Sequence, residues 1–317
     1  MQLGRDRRRH ARIESVIARA QALPPGDSRR WEVIGELATA NFKSTFDRAA
    51  ALIRTADPAA MTLGAELFDH LFIGMREGQR FSGEAEELLR GLCSPTQDPE
   101  VLCAALHPYA QLTSDAQPLL RQLLEHPDER VRRTAAQLIA TTGREIADDR
   151  QVDPLIALLD RDPDPGVREQ AAEGLEFILT CYAYVPQRPR IAEVLAGCLD
   201  DPLPGIRASA LVGTSVLEID AAMKQLVAEL AAEQVAWQFV DSFNRLPQLD
   251  DCAPDLLAEA HRALRRLREQ DWPQDGDSDR FPAAPERAEM LARAIAATSP
   301  HRQVAHAGHF QIKRLRF

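Results

Sequence analysis

At 317 residues with a formal net charge of −10, the chain is long enough for a substantial core and too acidic to read as a general polyanion binder. Its five cysteines are odd in number and lack any CxxC spacing, which excludes a disulfide frame and a cysteine zinc site. No apolar run approaches the roughly 18 residues of a membrane span.

The first twelve residues hold five Arg against one Asp and no apolar stretch of a secretory signal, so a frayed basic end and a cytoplasmic location are expected. A short helix from Ile13 to Leu23 follows, stopped by Pro24-Pro25-Gly26. Trp31 to Ala40 and Phe46 to Arg54 form the next helices. Asp57-Pro58 opens another, in which Met61, Ala65 and Phe68 share one apolar face. Gly74 to Gly83 is a polar connection. Glu84 to Leu92 is a helix, and Asp98-Pro99-Glu100-Val101 starts a further one that Pro108 ends or kinks early. His107 lies on that helix.

From Leu119 to Gly213 one phrase recurs three times: HPDERVRRTAAQL from His126, DPDPGVREQAAEGL from Asp162 and DPLPGIRASALVG from Asp201. With Val131, Val167 and Ile206 as equivalents, the steps are 36 and 39 residues, a period that belongs to stacked helix pairs. Pro127, Pro163 and Pro202 each stop a first helix. Asp128 and Asp164 then stand at N-cap positions, where the third copy has the weaker Leu203. Both acids precede Arg132 and Arg168 by four residues, which suits an i,i+4 pair. Val131, Ala135 and Leu138 form the apolar face of the second helix, matched by Val167, Ala171 and Gly174 and by Ile206, Ala210 and Gly213. Tyr184 to Arg190 reads as a long connecting loop between the second and third copies.

Beyond the third copy, Ala221 to Ala232 and Gln234 to Leu246 form a pair without the Asp-Pro turn. Asp255 to Gln270 is strongly periodic, and Pro285 to Thr298 is the last helix. Between them, Asp275 to Glu286 puts acids at places one, three, five and twelve of a calcium loop. Arg280 stands where that loop needs Gly and Pro282 where it needs an aliphatic residue, so no ion is expected. The C-terminal 301–317 segment carries four basic and no acidic residues; its His301, His306 and His309 have no metal-ligand spacing. The body between the two basic ends holds 29 Lys and Arg against 47 Asp and Glu.

The phrase built on Asp162-Pro163, Asp164-Pro165, Val167-Arg168 and Ala171-Ala172, with its counterparts, resembles the HEAT repeat family in its short bacterial form, also seen in phycobilisome-lyase-like proteins. The resemblance implies an all-α fold: a right-handed α-solenoid, or superhelix, of stacked antiparallel helix pairs. The expected plan is a basic segment and short helix over 1–28 and a solenoid over 29–270, with its best repeats in 115–215. An acidic linker over 271–284, a capping helix over 285–300 and a basic tail over 301–317 complete it.

In such solenoids the stacked second helices line the concave side, where extended partners bind. Residues two, six and nine after the repeat Val are expected to face outward there: Arg133, Gln137 and Ala140; Glu169, Glu173 and Glu176; Ala208, Val212 and Ser215. With His107, the expected partner-binding residues are Arg133, Gln137, Glu169, Glu173, Glu176, Ala208 and Val212. No Gly-rich phosphate loop, GxSxG elbow or HExxH pair is present. The function expected is therefore a non-catalytic scaffold or adaptor: a monomer without cofactor or metal, holding a protein or peptide, basic in its sharper form, and not nucleic acid. An immunity-type inhibitor of a basic effector is the alternative. More remote are the family's enzymatic members, DNA glycosylases and bilin lyases, the former needing a basic, aromatic groove that the acidic outward stripe does not supply.

Overall fold

The computed structural model describes residues 2–299 except 26, 40–41, 73–79, 114, 143–148, 183, 232–234, 248 and 270–283. The calcium-like acids Asp275, Asp277 and Asp279 and the basic tail therefore lie outside the described residues. Every regular element described is helical, apart from an isolated bridge at Tyr184. The chain divides into two compact units, residues 1–142 and 143–316.

The first unit contains α1 (Gln2–Gln21), α2 (Ser28–Gly35), a 3-10 turn at Glu36–Thr39, α3 (Phe42–Ile53), α4 (Pro58–Phe72), α5 (Ser82–Leu92), α6 (Pro99–Leu112), α7 (Ala116–Leu123) and α8 (Glu129–Thr141). The α1 helix starts at Gln2, eleven residues before the expected start, so the basic end is helical. Helix α6 likewise runs through Pro108 to Leu112: Pro108 costs one backbone bond but is itself buried, and packing outweighs the loss. Helices α3, α5 and α7 pack against α4, α6 and α8 in turn, and α4, α6 and α8 stand side by side. Phe42, Phe46, Phe68, Phe72 and Phe81 form a continuous ring cluster at one end, with centroids 4.8–6.3 Å apart. Gly64 lets α4 approach α3: a Cβ there would sit 2.8 Å from Ile53 Cγ1 and 2.9 Å from the Ala49 carbonyl oxygen.

The second unit contains α9 (Asp149–Arg161), α10 (Pro165–Cys181), α11 (Arg188–Ala196), α12 (Pro204–Thr214), α13 (Ile219–Leu230), α14 (Trp237–Arg245), a 3-10 turn at Leu249–Asp251, α15 (Pro254–Glu269) and α16 (Ala284–Thr298). The long loop expected over Tyr184 to Arg190 is shorter, because α11 begins at Arg188 with Pro189 in its first turn. Helices α10, α12, α14 and α16 pack in sequence, while α9, α11 and α15 each cover one of them. The core between them is built from Leu211, Val212, Leu226, Trp237, Phe239, Val240, Phe243 and Leu264. Each such side chain contributes about 1.5–3 kcal/mol by leaving water.

The three copies of the repeat phrase fold alike in detail. Asp128 caps α8 by accepting from Arg130 N (2.9 Å), and Asp164 caps α10 by accepting from Val167 N (2.9 Å). Leu203 gives α12 no side-chain cap. The residue two places before each cap closes the turn: Asp162 and Asp201 accept from the backbone N–H of Asp164 and Leu203 at 2.9 and 2.8 Å. His126 does the same through Nδ1 (3.1 Å), while its Nε2 donates to the Pro95 carbonyl (3.1 Å). The repeat arginine then reaches back over that turn. Nη1 of Arg132, Arg168 and Arg207 donates to the carbonyls of His126, Asp162 and Asp201 at 2.9, 2.9 and 2.8 Å. The same Nη1 also reaches the carbonyl of the following Pro in each copy. These carbonyls follow the end of a first helix, where acceptors lack helical partners. The arginine thus ties each second helix to the turn before it. Sequence spacing had matched Arg132 to Asp128, but Arg130 holds that carboxylate, at 2.8 Å.

Candidate partner-binding surface

Each unit has its own row of second helices, where the sequence places a binding surface, and the two rows differ in chemistry. In the first unit, α4 and α6 meet through a polar cluster. His107 Nδ1 donates to Asp69 Oδ1 (2.5 Å), and the Gln111 amide donates to the same oxygen (3.2 Å). That bond raises the His107 pKa above the usual imidazole value, against the opposing effect of burial. Asp69 is buried and His107 half-buried, so the imidazole is a structural tie with one open edge. Deeper in the same row, Arg30 Nε donates to Glu66 Oε2 (2.7 Å) and Nη1 to the Leu23 carbonyl (2.8 Å), all inside the core. Burial pushes the Glu66 carboxyl above its usual range, with Arg30 pulling it back. On α8, Arg133 and Gln137 are exposed as expected, whereas Ala140 is buried.

In the second unit the acidic stripe on α10 is graded by depth. Glu173 is exposed and accepts from Gln170 Nε2 (3.2 Å), and Glu169 is half-buried over Gly205. Glu176, expected to face outward, is buried and ion-paired with Arg245 of α14. Ala208, Val212 and Ser215 of α12 are also buried. Their common reason is packing: α12 is flanked by α10 on one side and α14 on the other, so positions two, six and nine lie beneath a neighbouring helix. Ala208 and Val212 belong to the core and offer nothing to a partner.

What the surface presents is therefore Glu169 and Glu173 on α10 and Asp241 on α14, with Arg245 the cation among them, a quarter exposed. Sequence reasoning missed Asp241, Arg245 and Ser209, because they converge from helices 33 to 69 residues away from Glu176 and carry no motif. It also missed Asp69, the partner of His107. The turn-closing role of Asp162 and Asp201 was detectable from the repeated Asp-Pro, an Asx-turn signature.

Three of the thiols are held protonated by burial. Burial pushes Cys93 up to about 12 and raises Cys103 and Cys198 above the normal thiol value. None of the five cysteines is in a disulfide. Among the described residues no group of three or more His, Cys, Asp or Glu side chains is arranged to hold a metal, and no helix is long and apolar enough to cross a membrane.

A family model of HEAT repeats matches residues 85–176 and 116–215. A comparison with curated proteins finds no match. Among solved structures, a chain from the complex of CpcE and CpcF of phycocyanin lyase from Nostoc sp. PCC7120 is 17% identical, with 78% of this chain and 94% of that chain covered and a TM-score of 0.49. YibA from Escherichia coli is 15% identical over 90% of this chain and 96% of its own, with a TM-score of 0.48. An engineered protein is 19% identical over 72% and 98%, with a TM-score of 0.40.

Proposed function

We propose that the chain, whose residues 85–176 and 116–215 match a family model of HEAT repeats, is a non-catalytic scaffold that holds a basic protein or peptide against the second helices of residues 143–316. The observation that carries this reading is the group of carboxylates that reach solvent there: Glu173 exposed, Glu169 half-buried, and Asp241 beside Arg245. A cationic segment laid along it gains attraction without displacing a core residue. HEAT repeats commonly serve as protein-binding surfaces, and the raised thiol pKa values speak against cysteine chemistry. The cysteines, none of them in a disulfide, fit a reducing, cytoplasmic setting.

Within this reading, an immunity-type inhibitor capping a basic effector is the sharper form, supported by the net charge of −10. The chain acts as a monomer and does not take nucleic acid, whose phosphates the acidic row repels. An affinity capture from native extract at low and high salt tests the proposal. Retention of a basic protein that is lost at high salt supports it, and retention indifferent to salt counts against it.

A further inference from the structure

Three consecutive second helices of residues 143–316 share one buried polar contact. The Glu176 carboxylate leaves α10, hydrogen-bonds Ser209 of α12, and meets the Arg245 guanidinium of α14. Glu176 is almost wholly buried, its side chain 4% exposed. Arg245 has a second acid within reach. Asp241, one turn earlier on α14, lies 3.2 Å from Nε, and its side chain is 41% exposed. That Nε is buried and makes no aligned hydrogen bond, so the guanidinium is incompletely satisfied where it stands. One cation thus sits between a dry carboxylate and a wet one, in contact with both.

We propose that Arg245 is a two-position latch, bolting α14 to α10 across α12 while Glu176 is ionised and swinging to Asp241 and the open acidic surface when Glu176 takes up a proton. The proton comes from solvent and returns to it; Arg245 stays charged throughout. Opening the latch leaves the apolar core of α12 and α14 in place and changes what the surface presents. Latched, Arg245 is divided between Glu176 and Asp241; unlatched, it turns wholly to Asp241 and the acids that reach solvent beside it.

The electrostatics set the operating range. Burial is the largest influence and raises Glu176. Arg245 and Ser209 lower it, Glu173 and Asp241 raise it again, and the carboxyl comes to rest at about 7. The other charges on the packed elements have partners of their own or face solvent; on α16, which packs against α14, Glu289 pairs with Arg293. On α9, Asp149 binds Gln187, Asp153 binds Arg190 and Asp160 binds Arg161. On α11, Arg188 donates to the Leu179 carbonyl and Glu193 remains towards solvent. On α12, Arg207 is held by Glu229 of α13. The balance near neutral pH is thus between Glu176, Arg245 and the two acids beside them.

The test uses the full chain with no partner added, so its outcome is separate from that of the binding proposal. Carboxyl carbon NMR follows Glu176 while amide hydrogen exchange, corrected for intrinsic rate, follows α14 between pH 6 and 8. The latch predicts that Glu176 titrates in this range and that α14 exchange rises several-fold as the proton goes on. Glu176→Gln holds the latch open, giving fast exchange independent of pH. The surface variant Asp241→Asn, which leaves the core untouched, lowers the Glu176 midpoint by removing a neighbouring negative charge. A Glu176 that stays ionised down to about pH 5 overturns the proposal. So does a neutral-range titration with unchanged α14 exchange, or an Asp241→Asn midpoint that does not fall.

Discussion

Arg168 Nη1 lies 2.9 Å from the carbonyl oxygen of Asp162, six residues earlier and on the far side of the turn that separates two helices. The same bond recurs between Arg132 and His126 and between Arg207 and Asp201. A hydrogen bond from a charged donor contributes about 1.5–3 kcal/mol. Arg168→Ala should therefore destabilise the protein by about 1–3 kcal/mol in urea unfolding, with Arg161→Ala, an exposed neighbour, within about 0.5 kcal/mol of the parent. Equal effects at the two positions would remove the arginine's role in the turn.

The repeat glycines divide by environment. A Cβ on Gly213 would fall 2.4 Å from Leu195 Cδ1, in the contact between α11 and α12, whereas one on Gly91 of α5 meets nothing within 4 Å. Gly213→Ala should cost about 1–3 kcal/mol through overpacking. Gly91→Ala should gain about 0.5–1 kcal/mol from helix propensity. Thermal melts of the two variants should move in opposite directions.

Glu66→Ala strands the Arg30 guanidinium inside the core, since both side chains are almost fully buried. The expected loss is about 3–5 kcal/mol. Replacing Arg30 and Glu66 together with Met and Leu should cost much less, because no unpaired charge remains. Denaturant titration of the single and double variants separates these outcomes; a double variant as unstable as the single one would contradict them.

His107 gives a pH signature in the first unit. Its folded pKa is raised by the Asp69 bond, so its contribution to stability is fully present below the unfolded value of 6.5 and is lost as pH rises through the higher folded value. Asp69→Asn removes the acceptor charge and leaves burial, so imidazole NMR should show the His107 midpoint fall. No change would mean that Asp69 is not the cause.

The fold was legible because its signals are local. Asp128, Asp164, Pro165 and the Val-Arg pairs each act within one turn, and Val131, Ala135 and Leu138 lie buried together as spacing requires. Pro108 misled because a helix-breaking residue is tolerated where its ring is buried, which no local pattern reveals. The surface was half legible. Glu169, Glu173, Arg133 and Gln137 reach solvent, but Glu176, Ala208 and Val212 were assigned outward from the period of one helix alone. Side-by-side stacking of α10, α12 and α14 covers those positions, and stacking is a relationship between repeats 36 to 39 residues apart.

The central claim is that the acidic row on residues 143–316 holds a basic partner, and its direct test is capture from native extract with the parent chain beside a Glu169→Lys, Glu173→Lys double variant. Glu173 is exposed and Glu169 half-buried, so a thermal melt of the variant beside the parent first establishes that both are folded. A basic protein should be retained by the parent at low salt, released at high salt, and absent from the variant. The same protein retained equally by both chains would contradict it.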